Sequence, residues 1–277
     1  MMFMNKYFAL FFLMIIQMHL LSCNNTNASN VNIKAEFVKD TARIAEVTKE
    51  DSIVELPIFN YSKNELLGIV KASKDSNFIK IDRKYTAKSN IYLRKATYLA
   101  YCKMYAAAKK DGVSLNIISA FRSNYHQKLI WESKWTGKRK VNGQQLNISI
   151  PDNYKRAKEI LKYSSMPGSS RHHWGTDIDI YDLNNSTFES GQGLKVYNWL
   201  VANAVKFGFY QVYTADRNYG YYEEKWHWSF LEISKPMLDA YKNKILISDF
   251  NNFKGSQTAE KVKIIEEYVL GINKACL

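Results

Sequence analysis

Apolar positions at Leu93, Ala96, Ala100, Met104 and Ala107 recur at helical spacing, and Gly112 follows them, so the pattern predicts a helix over Ile91 to Lys110. The stretch SLNIISAF then alternates as a strand does and ends at Arg122, before a helical HQKLIWESKW and a basic loop, GKRKVNGQQLNIS. Asp152 is placed to cap a helix running through Tyr163, with Ala157, Ile160 and Leu161 facing inward. Further on, Tyr197, Leu200, Val201, Ala204 and Val205 mark an amphipathic helix stopped by Gly208. FYQVY and EEKWHWSF read as strands flanking a loop with Asp216, Arg217, Asn218 and Gly220, and a last helix is expected from about Thr258 to Leu270 with Val262, Ile265 and Val269 on one face. Nothing repeats, and no linker interrupts residues 90–245. The fold class expected is α+β, with helices covering a small, mainly antiparallel sheet.

The two ends read differently. Residues 1–22 carry a single charge, Lys6, and an apolar run, FALFFLMIIQMHLLS, that reads as a signal peptide. Leu20-Leu21-Ser22-Cys23 is similar to a bacterial lipobox, although Leu21 stands where a small residue is commoner. Lipidation of Cys23 would anchor the chain in a membrane, since each buried methylene contributes about 0.8 kcal/mol; ordinary cleavage nearby or an uncleaved anchor are the alternatives. NNTNASN suits a flexible tether over residues 23–32. Residues 33–89 form an irregular approach segment with short strand-like pieces, SIVELPIF and NFIKI, and residues 246–277 a C-terminal helical extension.

Composition changes this picture in two respects. The net charge of +13 favours anionic surroundings such as cell wall or phospholipid headgroups. The lysines are scattered and carry no RNA-binding signature, so nucleic acid is not an expected partner. Besides Cys23, the chain holds Cys102 and Cys276, neither in a zinc-binding spacing; they could pair in an oxidising compartment or remain two free thiols.

The chemistry concentrates in two short segments. Of five histidines, His172 and His173 lie in SSRHHWGTDIDI and His227 in EEKWHWSF. Two histidine nitrogens and one carboxylate oxygen would suit Zn²⁺ with a fourth position open. In GTDIDI, Asp177 and Asp179 alternate with Ile178 and Ile180, so both carboxylates face one side of a strand. Glu224 and His227 fall on opposite faces of a straight strand, so a bend or bulge is needed before both can reach one point.

These residues resemble the D-alanyl-D-alanine carboxypeptidases and dipeptidases of the vancomycin-resistance type, within the lysostaphin/D-Ala-D-Ala peptidase/hedgehog fold group. The form SxHxxGxAxD is matched by Ser170, His172, Gly175 and Asp179, the form ExWH by Glu224, Trp226 and His227, and SAFRSNYHQ is similar to an upstream segment giving Arg122, Ser123 and Gln127. The resemblance spans about residues 90 to 235. It implies His172, Asp179 and His227 as ligands of one zinc ion, and Glu224 as the base that takes a proton from the attacking water and returns it to the departing amine. Arg122 would bind the scissile carbonyl oxygen or oxyanion, or clamp the terminal carboxylate. Ser123, Gln127 and Ser170 become candidate substrate contacts, although Ser123 could simply cap the helix after Arg122.

Asp177 departs from the family pattern, which usually has alanine there. It is expected to orient a ligand histidine, to meet a cationic substrate group, or to pair with Arg171. His173 is expected beside the ligands or facing solvent, and His126 on a helix surface. The resemblance implies a zinc peptidase acting on peptidoglycan stem peptides at the terminal D-Ala-D-Ala bond; with the lipobox-like segment, the expectation is a lipid-anchored protein of the bacterial envelope, and a monomer is expected. The alternatives are an L,D-carboxypeptidase or stem endopeptidase of the same fold, or a non-catalytic wall-binding lipoprotein. No GxSxG or SxxK is present to support a nucleophilic serine.

Overall fold

A computed structural model describes residues 60–277, all within one compact unit. The apolar N-terminal run, Cys23, the tether and SIVELPIF lie outside the described residues. Among the described residues no helix is long and apolar enough to cross a membrane.

The elements run α1 (Lys63–Leu66), β1 (Phe78–Lys80), β2 (Tyr92–Arg94), α2 (Lys95–Lys110), β3 (Ile117–Ser119), α3 (Asn124–Trp135), α4 (Leu146–Ser149), α5 (Asn153–Leu161), β4 (Asp177–Ile180), α6 (Gly191–Asn203), β5 (Phe209–Gln211), β6 (His227–Phe230) and α7 (Leu231–Lys244). β1 and β2 form a separate hairpin, while the main sheet has the order β3-β4-β6-β5 with every neighbour antiparallel. The expected α+β class is what the chain adopts.

Strand alternation places the site. Ile178 and Ile180 of β4, Trp228 and Phe230 of β6 and Phe209 of β5 enter a core shared with Tyr101 and Met104 of α2 and Val196 and Leu200 of α6. The other set, Asp177 and Asp179 with His227 and Ser229, pairs directly across β4 and β6 in the register Asp177↔Ser229 and Asp179↔His227. It is covered by a second core containing Trp131 and Trp135 of α3, Ile160 and Leu161 of α5 and Leu238 and Tyr241 of α7. Polar side chains thus lie buried between a sheet and its helical cover, which is tolerated only where they are paired or bind something.

Local signals account for most boundaries. Asp152 Oδ1 accepts from Lys155 N at 2.7 Å and caps α5, whose Ala157, Ile160 and Leu161 are buried as expected. Several expectations are corrected. The helix expected from Ile91 starts at Lys95, because Tyr92–Arg94 is recruited as a strand by Phe78–Lys80. EEKWHWSF is a strand only from His227. Val201 and Val205 are 56% and 51% exposed, since α6 turns Val196, Trp199 and Leu200 inward and tightens at Ala204–Phe207 into a 3-10 turn ahead of Gly208.

The helix expected over Thr258 to Leu270 is a 3-10 turn at Ser256–Thr258 and a π turn at Ile264–Val269, interrupted where Lys263 takes φ 52°. That C-terminal stretch packs Phe250, Phe253, Val262, Ile264 and Cys276 into the same core as α3 and α5. Cys102 and Cys276 are both free. Cys102 packs against the core under the sheet and Cys276 belongs to the other, so the expected alternative of a bridge is not realised.

Candidate metal centre

Ser170 opens a 3-10 turn over Arg171–Trp174 that ends at Gly175 with φ 70°. A Cβ on Gly175 would also stand 2.5 Å from the Phe78 ring, so only glycine fits. The turn delivers His172, β4 delivers Asp179 and the first residue of β6 delivers His227. One ligand atom from each lies within 4.8 Å of the others, and all three residues are buried. His172 Nε2 stands 3.2 Å from Asp179 Oδ2, and His227 Nδ1 stands 3.3 Å from Asp179 Oδ1. Asp179 Oδ1 and His172 Nδ1 are nevertheless buried without a hydrogen-bond partner. A buried carboxylate oxygen left unpaired beside two imidazoles, Asp179 Oδ1, is what a cation would satisfy. The donor set, two nitrogens and one oxygen, matches zinc with an open position.

His227 is oriented from behind. Its Nε2 meets Asp177 Oδ2 at 2.9 Å, which directs Nδ1 to the point shared with Asp179 and Glu224. Asp177 also accepts from Arg171 Nε at 2.9 Å, Ser229 Oγ at 2.7 Å and Thr176 Oγ1 at 2.7 Å. Burial penalises its charge, but Arg171 and the His227 and Ser229 bonds outweigh that and hold its carboxyl well below the usual range. Of the roles expected for Asp177, its contacts match histidine orientation and pairing with Arg171. The residue is completely buried and both oxygens are engaged, which leaves none for a substrate.

Glu224 lies before β6 and a turn, with its carbonyl accepting from His227 N at 3.3 Å. That turn is the bend required to bring both residues to one point. Glu224 Oε2 is 3.2 Å from His227 Nδ1 with the side chain 17% exposed, so it faces the cluster yet remains open to water.

Arg122 reaches the same place from the end of β3. Its backbone N–H donates to His172 O at 3.0 Å, Nη1 donates to Gln127 Oε1 at 2.9 Å and Nη2 to Ser119 Oγ at 3.1 Å. Burial draws its pKa down, while the charges of Asp179 and Glu224 oppose that loss. Gln127 is fully buried, and its Nε2 donates to Ser165 O at 2.6 Å, so it holds Arg122 rather than facing outward. Ser123 Oγ accepts from His126 N at 3.2 Å and caps α3. Ser170 is 3% exposed, and its carbonyl receives His173 N at 3.0 Å.

His173 neither binds the cluster nor meets solvent. Its Nδ1–H donates to Arg122 O at 2.6 Å and its Nε2 accepts from Gly168 N–H at 3.0 Å, which fixes a neutral ring, and burial lowers its pKa to about 3. His126 is exposed on α3, as expected. Sequence reasoning missed Tyr213, whose ring packs edge-on 4.8 Å from that of His227. It also missed Lys134, which shares the buried face of α3 with Gln127. The spacing of Gln127, Trp131 and Lys134 is the signal that could have found it.

A helix-covered antiparallel sheet with a His/Asp/His set able to hold a metal ion, and a glutamate beside it, is the class that fold and site define. The chain belongs to the VanY D-alanyl-D-alanine carboxypeptidase family, whose sequence model matches residues 90–233. The protein YodJ of Bacillus subtilis (strain 168) is 24% identical over 218 residues, 74% of this chain and 70% of its own length. An uncharacterised protein of Haemophilus influenzae is 33% identical over 84 residues, 29% of this chain and 58% of its own. Among solved structures, a variant of the vancomycin-resistance D,D-pentapeptidase VanY in complex with Zn(II) aligns at TM-score 0.44 and 22% identity, over 66% of this chain and 93% of its own. The LD-carboxypeptidase LdcB aligns at TM-score 0.46 and 23% identity, over 70% of this chain and 81% of its own.

Proposed function

We propose that the protein is a zinc-dependent carboxypeptidase that hydrolyses the terminal D-Ala-D-Ala bond of peptidoglycan stem peptides. The observation that carries this reading is the convergence of Glu224 Oε2, 3.2 Å from His227 Nδ1, on the buried His172, Asp179 and His227 cluster. Family membership supports the reaction class. Zinc held by those three residues would polarise the scissile carbonyl and acidify the attacking water.

The chain's own residues supply the rest. Glu224, partly open to water, takes the proton of the attacking water and passes it to the amine of the departing D-alanine. Asp177 keeps the Nε2 side of His227 engaged, so Nδ1 offers its lone pair forward. Arg122, clamped by Gln127 and Ser119, brings a guanidinium to the oxyanion as the carbonyl becomes tetrahedral. No covalent intermediate is required. The Cys23 lipid anchor and an envelope location belong to the same proposal. A Cys23→Ser change that leaves palmitate labelling intact would remove the anchor from it.

Digestion of purified muropeptides by the soluble domain tests the activity. Loss of one alanine from pentapeptide stems, abolished by chelator, is the expected result. Loss of alanine from tetrapeptide stems alone would make the enzyme an L,D-carboxypeptidase. No mass change on any stem would leave a wall-binding lipoprotein.

A further inference from the structure

Lys134 is a buried cation set among aromatic side chains. It lies on the inward face of α3, two turns beyond Gln127, in a side-chain row otherwise filled by Trp131 and Trp135. The residue is 7% exposed, and its Nζ meets Ser164 Oγ at 2.5 Å. Among the described residues no carboxylate pairs with it, and Glu224 is the acidic group whose charge it feels. Burial lowers its pKa to about 8, and Arg139 and Arg122 push in the same direction. Such a charge is costly unless an anion offsets it.

The surroundings say where that anion arrives. Ser164 adjoins Ser165, whose carbonyl is held by Gln127, and Gln127 also holds Arg122. Lys134, through Ser164, and Arg122, through Gln127, therefore hold one strip of chain from its two sides. Two cations beside a reaction centre can divide two charges between them. Arg122 donates its backbone N–H to His172 O at 3.0 Å and so adjoins the metal-binding set directly.

Resting on the peptidase reading, we propose that Lys134, with Ser164, receives the terminal carboxylate of the substrate, leaving Arg122 to the charge that develops on the scissile carbonyl. Lys134 then restricts the enzyme to free C-termini, making it an exopeptidase. An ammonium with a hydroxyl beside it offers a charge-assisted hydrogen bond to one carboxylate oxygen while the serine hydroxyl serves the other. A C-terminal amide or a continuing chain brings no charge to this point and leaves Lys134 buried and unpaired.

The test compares an N-acylated peptide ending in D-Ala-D-Ala with its C-terminal amide, on the zinc-loaded wild type, Lys134→Met and Lys134→Arg. Lys134→Met should lower kcat/KM on the acid roughly 10- to 100-fold, mainly through KM, and leave the amide unchanged, while Lys134→Arg keeps much of the preference. An acid-to-amide ratio unaltered in Lys134→Met overturns the proposal while the peptidase reading stands. Calorimetric binding of both peptides to Glu224→Gln, with and without Lys134→Met, separates the two. If the wild type cleaves neither peptide the peptidase reading fails, and tighter binding of the acid that vanishes with Lys134→Met still supports the lysine's role. Equal binding of acid and amide overturns it.

Discussion

Asp177 and Asp179 stand two residues apart on one strand and face the same way, yet they belong to different kinds of polar cluster. Around Asp177, Arg171, Ser229, Thr176 and His227 saturate both carboxylate oxygens, and the Arg171 guanidinium stacks 4.7 Å from the Trp174 ring. Around Asp179, the neighbours are imidazoles that leave Oδ1 without a hydrogen bond. The first carboxylate is saturated and holds His227 in position; the second keeps an acceptor oxygen to spare. Burial alone does not distinguish them, since Asp177 and Asp179 are 0% and 4% exposed. What separates the two aspartates is whether their own oxygens are already satisfied: the buried atom left over around Asp177 is a donor, Arg171 Nη1, whereas around Asp179 it is the carboxylate oxygen itself.

That contrast breaks most visibly in catalysis. Glu224→Gln should cost about 10²- to 10⁴-fold in kcat with little change in the unfolding midpoint, because the role proposed for its carboxylate is in the reaction and not in the fold. Around Asp177 the outcome should reverse in kind. Arg171→Met leaves Asp177 buried and uncompensated and should destabilise by about 3–5 kcal/mol in urea unfolding, with the double change Arg171→Met/Asp177→Leu recovering much of it.

Metal sharpens the comparison from the Asp179 side. Zinc at a hundred times its dissociation constant should stabilise the fold by about 2.7 kcal/mol, and Asp179→Ala should abolish that shift in a thermal scan. The smallest effect belongs to Lys134, whose buried charge has a serine hydroxyl but, among the described residues, no carboxylate beside it and so opposes folding. Lys134→Met should stabilise by about 1–3 kcal/mol at neutral pH. The folded pKa of about 8 lies below the unfolded value near 10.4, so the unfolded chain holds the extra proton between those limits and stability rises with pH there. Unfolding midpoints followed across that window should show the rise in the wild type and not in Lys134→Met.

The sequence made the Asp179 cluster legible because its chemistry is local. DIDI announces two carboxylates on one face, and the histidines flanking it and β6 are few enough to be noticed. The fold class followed from period-2 and period-3.6 patterns that the core requires. The Asp177 cluster was less legible, because Ser229 and Ser234 are ordinary residues until β6 and α7 bring their hydroxyls within 2.9 Å. Gln127 and Ser123 were visible in the sequence, but the bond from Arg122 to Gln127 was not, and the helix cap at Ser123 was one of two readings, since spacing shows which residues come together and not which of their atoms are used. The π turn at Ile264–Val269 carries helical periodicity, and only the left-handed backbone of Lys263 breaks it.

Titration of zinc into the chelator-stripped protein, followed by release of D-alanine from a peptide ending in D-Ala-D-Ala, tests the central claim most directly. The account predicts no release without metal, activity rising to a plateau at one equivalent, and none at any metal level in Asp179→Ala. Full release from the stripped protein, or undiminished release by Asp179→Ala, would contradict it.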